Sequence, residues 1–150
     1  MNPENVLGWG LDWAWGLPLI VLTVVFHAYG LGLLESGVNK RLGGAGGKRN
    51  LTGVSSIVMG GAALAAILLH AFEGAAWAIA YRILGAIDNN KSAMLYSLNA
   101  ITSYGHENLQ LAAQWQMMGA LEALNGWILF GLTTAFLFAV MQKAWPRTHN

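Results

Sequence analysis

Three long apolar stretches separated by shorter polar segments dominate the sequence. They cover about residues 15–35, 54–83 and 116–142, and each reaches the roughly 20 apolar residues that a helix needs to cross a bilayer. A fourth stretch, 92–106, begins with helix-forming residues, ends in a polar, Gly-containing segment and is too short to cross. Irregular backbone is tolerated at membrane depth only where protein buries it or where it lines a water-filled cavity. We therefore predict three transmembrane helices, with a re-entrant helix and loop between the second and the third.

The composition favours an integral membrane protein with a single domain, residues 1–150. Apolar residues make up 55% of the chain and charged residues 10%, whereas soluble domains average roughly 25% charged residues. The net charge of +1 gives no support for a nucleic-acid partner. The absence of cysteine excludes disulfide and thiolate chemistry. No arrangement of nucleophile, base and oxyanion donors is visible, so we predict that the protein is not an enzyme.

The basic residues predict how the chain crosses the membrane. Four of the eight Lys and Arg residues lie in the Gly-rich segment 36–53, and two lie in the tail, 143–150. With three spans these segments fall on the same side, which the positive-inside rule makes cytoplasmic. The Trp-rich segment 1–14, which contains neither Lys nor Arg, and the re-entrant loop then lie outside. We therefore predict an external N-terminus and a cytoplasmic C-terminus.

Ionisable residues within the apolar stretches are functional candidates. His70, Glu73, Trp77 and Tyr81 are spaced so that they share one face of the second helix, and that face should meet protein rather than lipid. His70 and Glu73 either brace the re-entrant helix and the first span, form a proton-sensitive gate, or contribute to a metal site. Two ligands are too few for a metal unless other chains contribute, so no dedicated metal site is predicted. His27, in the first span, is either a hydrogen-bonded packing residue or a proton or ion contact.

Several short motifs follow one another in the second half of the chain. The second span contains the stripe His70-x-x-Glu73-x-x-x-Trp77-Ala78-x-x-Tyr81. The re-entrant stretch follows with Ala93-Met-Leu-Tyr-Ser97 and Tyr104-Gly105. The third span contains Gly119-Ala-Leu-Glu-Ala-Leu-Asn-Gly126 and Phe130-Gly-Leu-Thr-Thr-Ala135. This ordered set, over about residues 55–142, resembles the small bacterial potassium-channel-like proteins of the two-transmembrane, pore-loop ion channel family. The resemblance is to a subgroup that carries an extra first span.

The resemblance implies an all-α membrane protein that assembles as a homotetramer around a pore. Each chain would contribute the outer helix (54–83), the pore helix and filter (92–106) and the inner helix (116–142). The implied function is passive conduction of monovalent cations, with K⁺ or Na⁺ in the filter and no other cofactor. The expected partners are copies of the same chain and membrane lipid, and the expected location is the bacterial inner membrane.

The predicted filter departs from the usual family pattern Thr-Val-Gly-Tyr-Gly-Asp. Aligned on Tyr104-Gly105, the filter residues are Ile101, Thr102, Ser103, Tyr104 and Gly105. Ile101 then replaces the filter Thr, and Ser103 replaces a Gly. Aligned on Ser97 instead, Thr102 is the filter Thr and the loop is about two residues shorter than the family's. Because K⁺ selectivity depends on the geometry and number of the carbonyl dipoles, either alignment predicts weaker discrimination of K⁺ over Na⁺.

The outer mouth of the predicted pore contains His106 and Glu107. A tetramer would repeat each residue as a ring of four. Protonation of four imidazoles near the usual histidine pKa of about 6.5 would place positive charge at the mouth and oppose cation access. Acid inhibition is therefore one interpretation of His106, and a bond that ties the loop to a neighbouring chain is the other. The same ring would also suit a divalent blocker such as zinc.

The remaining candidates support the filter or the inner helix. We predict that five residues support the filter: His70, Glu73, Trp77, Asn99 and Glu122. Gly126 and Gly131 either allow the inner helix to bend during gating or permit close helix packing. Glu122 and Asn125 either stabilise the loop from behind or face the cavity.

The sequence is also compatible with two other functions. The chain is alternatively a non-conducting membrane assembly or regulatory subunit with a degraded filter, which predicts no flux. It is otherwise a small proton-coupled carrier that uses His27, His70 and Glu73, which predicts slow, proton-dependent flux sensitive to Glu73→Gln.

Overall fold

The computed structural model describes residues 3–43, 51–105 and 108–145. Helices are the only regular secondary structure of these residues: α1 (Pro3–Gly43), α2 (Leu51–Ile83), α3 (Asn90–Ile101), a 3₁₀ turn (Ala113–Trp115) and α4 (Gln116–Ala144). The predicted all-helical class is therefore confirmed.

Three of the helices are long and apolar enough to cross a membrane. The candidate spans are Gly10–Leu42, Gly53–Ile83 and Ala113–Ala144. Large apolar side chains such as Val21, Phe72 and Phe130 are exposed on the outside of the bundle, where a lipid environment would cover them without the cost of hydrating apolar surface. The three long apolar helices predicted from the sequence are therefore present, and their length and composition fit an integral membrane protein.

α1 is longer than the predicted first span of 15–35. The helix begins at Pro3 and continues through the predicted external segment to Gly43, with Pro18 inside it. Asp12, in the predicted external segment 1–14, is buried at 2% exposure. Its carboxylate accepts a hydrogen bond from the backbone N–H of Met118. This N–H belongs to the first turn of α4, where helical N–H groups have no partner within the helix, so Asp12 caps α4 from a neighbouring helix.

The three long helices run up, down and up. Asp12 and Met118 place the N-terminal ends of α1 and α4 together. At the opposite end, Lys143 Nζ lies 2.5 Å from Glu35 Oε1, and the Ser55 hydroxyl donates to the Ala144 carbonyl at 2.8 Å. α1 and α4 are therefore parallel, and α2 packs antiparallel to both.

The short helix α3 lies between α2 and α4 at the end of the bundle where α4 begins. Asn89 caps its N-terminus, since the Asn89 side chain accepts hydrogen bonds from the backbone N–H groups of Lys91 and Ser92. One face of α3 packs into an apolar cluster supplied by α2, α3 and α4: Trp77, Tyr81, Ala93, Tyr96, Ala100, Met118 and Leu121. This packing fixes the point at which the chain leaves α3.

Candidate functional site

The C-terminus of α3 closes in a Schellman-type turn. The backbone N–H of Ser103 donates to the Ala100 carbonyl at 2.9 Å, and that of Tyr104 donates to the Asn99 carbonyl at 2.9 Å. Ser103 has φ = 54°, the left-handed conformation that this motif requires and that Gly usually supplies. The turn therefore ends α3 abruptly and directs the chain outward.

The turn divides the five predicted filter residues into two groups. Ile101 is the last residue of α3 and is buried, and the Thr102 hydroxyl donates back to the Leu98 carbonyl at 2.6 Å. Ser103, Tyr104 and Gly105 follow as an exposed loop, in which Tyr104 is 85% exposed. The predicted mouth residues, His106 and Glu107, lie outside the described residues.

α4 contacts this loop from one side. The Trp127 indole N–H donates to Ser103 Oγ at 3.0 Å. The neighbouring Gly126 faces the backbone carbonyl of Ile101 so closely that a Cβ at position 126 would collide with it. Gly126 therefore permits close packing between α4 and the end of α3. Gly131, five residues further along, has no atom near its Cβ position from the described chain outside its own stretch of helix.

Glu122 anchors α3 from within the bundle. It is fully buried, and its Oε2 accepts a 2.6 Å hydrogen bond from the Tyr81 hydroxyl. Its Oε1 is hydrogen-bonded to Ser97 Oγ, and Ser97 Oγ also lies 2.7 Å from the Gly74 carbonyl. This cluster joins α2, α3 and α4.

The hydrogen count in this cluster assigns a proton to Glu122. Ser97 carries one hydroxyl hydrogen, and the Gly74 carbonyl can only accept. Every contact is a hydrogen bond when Ser97 donates to Gly74, Glu122 donates to Ser97, and Tyr81 donates to Glu122. Glu122 is then a neutral carboxylic acid, which avoids the cost of an unpaired charge in an apolar interior.

A second polar cluster joins α1, α2 and α4. His27 Nδ1 lies 2.7 Å from Glu73 Oε1, and His27 Nε2 lies 2.9 Å from Thr133 Oγ1. His70 Nε2 also contacts Thr133 Oγ1, at 3.1 Å, while His70 Nδ1 is 3.4 Å from Glu73 Oε2. His27, Glu73 and Thr133 are buried, and the His70 side chain is 26% exposed. We refer to these four residues as the His–Glu cluster.

The residues predicted to support the filter lie in different surroundings. Glu122 contacts α3 through Ser97, and the Asn99 carbonyl closes the Schellman turn. Within the described chain, the side-chain hydrogen bonds of His70 and Glu73 connect to α1 and α4 rather than to α3. Trp77 is buried against Tyr81, with ring centroids 6.1 Å apart, and its indole N–H has no hydrogen-bond partner among the described residues.

Sequence reasoning missed several members of both clusters. Thr133 was part of a quoted motif but was not proposed as a site residue, although a hydroxyl in an apolar helix is a usable signal. Asn125, a candidate named beside Glu122 from the sequence, belongs to neither cluster: its amide donates to Thr23 Oγ1 at 2.8 Å, in the contact between α1 and α4. Tyr81 and Ser97 stood in quoted motifs without an assigned partner, since nothing in the sequence pairs them with Glu122.

Comparisons with protein-family models, with curated proteins and with solved structures give no match for this chain. Its function is therefore inferred from the residues and the geometry described above.

Proposed function

We propose that the protein is a tetrameric pore-loop cation channel in which α3 is the pore helix and Ser103–Gly105 forms the filter loop. The observation that carries this proposal is the anchoring of α3. A short helix is held between two membrane-length helices by the Ser97–Glu122–Tyr81 hydrogen bonds and ends in an exposed loop. A loop placed on such a rigid support can keep the geometry that ion coordination requires.

Tetramer formation would complete the pore. Each chain contributes one copy of the Ser103–Gly105 loop, and closed cyclic symmetry repeats this loop around an axis. α4 exposes Leu124 and Trp127 near the loop in the single chain, so this apolar surface is available for contact with neighbouring copies. These observations support a homotetramer in which lipid covers the remaining apolar faces.

The proposed orientation places the loop outside the cell and both Lys/Arg-rich segments inside. Asp12 and the N-terminus of α3, beside Arg82, lie towards one end of the bundle, whereas Lys40, Arg41 and Lys143 lie near the other. The positive-inside rule favours the basic end as the cytoplasmic one. Because the chain has no native cysteine, single cysteines introduced at each end and labelled from one side would test this orientation.

We further propose that the pore discriminates weakly between K⁺ and Na⁺. Ile101 and Thr102 form the end of α3 and its turn, so only Ser103, Tyr104 and Gly105 follow as exposed filter backbone before the mouth. Fewer successive carbonyl rings would coordinate fewer dehydrated ions, and selectivity depends on the number and arrangement of these dipoles.

The first test is the current of purified protein in planar bilayers with K⁺ on one side and Na⁺ on the other. A current that reverses near zero is expected, and reversal near the K⁺ equilibrium potential would contradict weak selectivity. Tyr104→Ala, in the exposed loop, should abolish or reshape the current. Tyr29→Ala is the matched control, because Tyr29 is 68% exposed on α1 and lies outside the loop.

Acid inhibition of this current is part of the proposal. Protonation of a ring of His106 side chains between about pH 8 and 5 would oppose cation access. The current should therefore fall with pH in the unmodified protein and remain constant in His106→Ala. Equal inhibition in both proteins would exclude His106 as the cause.

The His–Glu cluster favours a second candidate function, a proton-coupled carrier. A buried carboxylate between two imidazoles can hold or pass a proton. The carrier predicts slow, proton-dependent flux that Glu73→Gln abolishes and Tyr104→Ala leaves intact. The absence of any current or flux through well-folded protein, at all voltages and pH values, would instead favour a non-conducting membrane assembly.

A further inference from the structure

The His–Glu cluster contains more polar atoms than its own hydrogens can satisfy. Thr133 Oγ1 contacts the Nε2 atoms of both His27 and His70, at 2.9 and 3.1 Å. A Thr hydroxyl carries one hydrogen and two lone pairs, so it can donate to only one of the two imidazoles. At least one imidazole must therefore donate its Nε2–H to Thr133.

An imidazole that is neutral and donates from Nε2 has a bare lone pair at Nδ1. In both histidines Nδ1 faces Glu73, at 2.7 Å for His27 and 3.4 Å for His70. A bare nitrogen facing a carboxylate oxygen is repulsive unless a cation lies between them. The arrangement of these side chains therefore requires a positive charge beside Glu73, either a proton or a metal ion.

The second carboxylate oxygen of Glu73, Oε2, faces His70 Nδ1 at 3.4 Å, which is too long for a good hydrogen bond. Glu73 is 1% exposed, and its Oε2 has no hydrogen-bond partner among the described residues. A buried carboxylate oxygen without a donor is costly. An ion placed between Oε2 and the two Nδ1 atoms would satisfy it.

We propose that His27, His70 and Glu73 bind a divalent metal ion of the Zn²⁺ type within the helix bundle. The three residues each offer a ligand atom within 4.8 Å of the others, and we assign the two Nδ1 atoms and the Glu73 carboxylate as the ligands because both Nδ1 atoms face Glu73. Thr133 is a positioning residue, because accepting hydrogen bonds from both Nε2–H groups holds both imidazoles in the tautomer that presents Nδ1 to the ion.

The distances fit a zinc site after a small adjustment. Zn²⁺ binds imidazole nitrogen and carboxylate oxygen at about 2.0–2.2 Å in tetrahedral geometry, which separates neighbouring ligand atoms by about 3.3 Å. The His70 Nδ1–Glu73 Oε2 distance of 3.4 Å already matches. His27 Nδ1, which lies 2.7 Å from Glu73 Oε1, would have to turn from Oε1 towards an ion that is bound through Oε2.

The type of ion follows from the ligands. Two imidazoles and one carboxylate suit Zn²⁺ and related transition metals rather than Ca²⁺ or Mg²⁺, which prefer oxygen ligands. Three protein ligands leave a fourth position for water.

The test measures zinc binding to the full-length protein in detergent, purified without a histidine tag. His106→Gln and His149→Gln are introduced first, since they leave His27 and His70 as the only imidazoles of the four in the chain. Zn²⁺ is then titrated by calorimetry, and the thermal unfolding midpoint is followed in parallel. Co²⁺ serves as a second probe, because its visible spectrum reports tetrahedral coordination.

We expect one saturable Zn²⁺ per chain and a midpoint raised by about 5 °C at saturation. His70→Gln and Glu73→Gln should abolish both effects, whereas the matched variant Glu35→Gln, at an exposed glutamate of α1, should preserve them. Thr133→Val should weaken binding about 10–100-fold, and Thr133→Ser, which keeps the hydroxyl, should restore it.

Two results would overturn the proposal. One is the absence of saturable binding by folded parent protein, which would leave a proton as the cation beside Glu73. The other is binding that persists unchanged in both His70→Gln and Glu73→Gln. Neither readout uses ion flux, so the outcome is independent of whether the protein conducts.

Discussion

The Tyr81 hydroxyl and Glu122 Oε2 lie 2.6 Å apart and join α2 to α4 beside the buried face of α3. Glu122 is also bonded to Ser97 of α3, so one carboxyl group connects three helices. Removing it affects both the bundle and the support of the loop.

Glu122→Gln should retain most of the stability of the protein. Because Glu122 is a neutral acid that donates to Ser97, Gln can replace it: the amide N–H₂ donates to Ser97 while the carbonyl accepts from Tyr81. Glu122→Ala leaves both hydroxyls buried without this partner and should cost about 2–4 kcal/mol. Thermal unfolding followed by tryptophan fluorescence would measure the difference.

Glu35→Ala is the control for this pair. Glu35 and Lys143 form an exposed ion pair, and such pairs contribute about 0–1 kcal/mol. Equal losses of stability in Glu122→Gln and Glu122→Ala would show that Glu122 is ionised and accepts both hydrogen bonds.

Ser103→Gly should stabilise the loop by about 1 kcal/mol. Ser103 has φ = 54°, a conformation that costs a residue with a Cβ about 1–2 kcal/mol and costs Gly little. The substitution also removes the hydrogen bond from Trp127, but Trp127 is 71% exposed and water can replace that partner. Ser103→Val should destabilise the protein, since a β-branched residue fits this conformation poorly.

Trp127→Phe separates the two contributions of Ser103. It removes the indole N–H and leaves the backbone at position 103 unchanged. A Ser103→Gly variant that loses as much stability as Trp127→Phe would mean that the hydrogen bond outweighs the backbone strain. The unfolding midpoints of both variants and the double variant give the comparison.

The three spans were predictable because length and apolarity alone decide whether a helix can cross a bilayer. The start of α1 was not predictable, because the burial of Asp12 depends on Met118, far away in sequence, whose backbone N–H donates to the Asp12 carboxylate. Burial of a polar residue depends on its partner, and periodicity within one helix does not identify partners on another.

The same limit applies to the two polar clusters. The spacing of His70 and Glu73 predicted a common face turned towards protein, and both side chains do contact neighbouring helices. The spacing did not predict that His27 and Thr133 would meet them, since that depends on how α1 and α4 pack. The position of the Schellman turn along the chain could not be predicted either, because Ser103 occupies the left-handed position where Gly is the usual residue.

Asn89→Ala should destabilise α3 by about 1 kcal/mol. The Asn89 side chain accepts from the backbone N–H of Lys91 at 2.8 Å and of Ser92 at 3.2 Å, and Ala would leave both donors to water. Asn89→Asp keeps an accepting oxygen and adds a favourable charge at the helix N-terminus, so its unfolding midpoint should stay close to that of the unmodified protein. An equal loss of thermal stability in Asn89→Ala and Asn89→Asp would contradict a capping role for Asn89.

Gly126→Ala should destabilise the protein by about 1–3 kcal/mol, the usual cost of adding a methyl group to a well-packed contact. The added Cβ would collide with the backbone carbonyl of Ile101. A backbone group cannot rotate away as a side chain can, so α3 or its loop must shift. Reduced or altered current in protein that still folds is therefore expected alongside the lower unfolding midpoint.

Gly131→Ala should behave differently, although it is the same substitution five residues further along α4. No atom of the described chain lies within 4 Å of a Cβ at this position, and Ala is favoured over Gly in a helix interior by about 1 kcal/mol. Stability should therefore be unchanged or slightly higher. A change in gating with normal stability would then identify Gly131 as a bending point of the helix. Destabilisation as large as that of Gly126→Ala would instead show that a neighbouring chain packs against Gly131, which chemical cross-linking of cysteines placed beside it would detect.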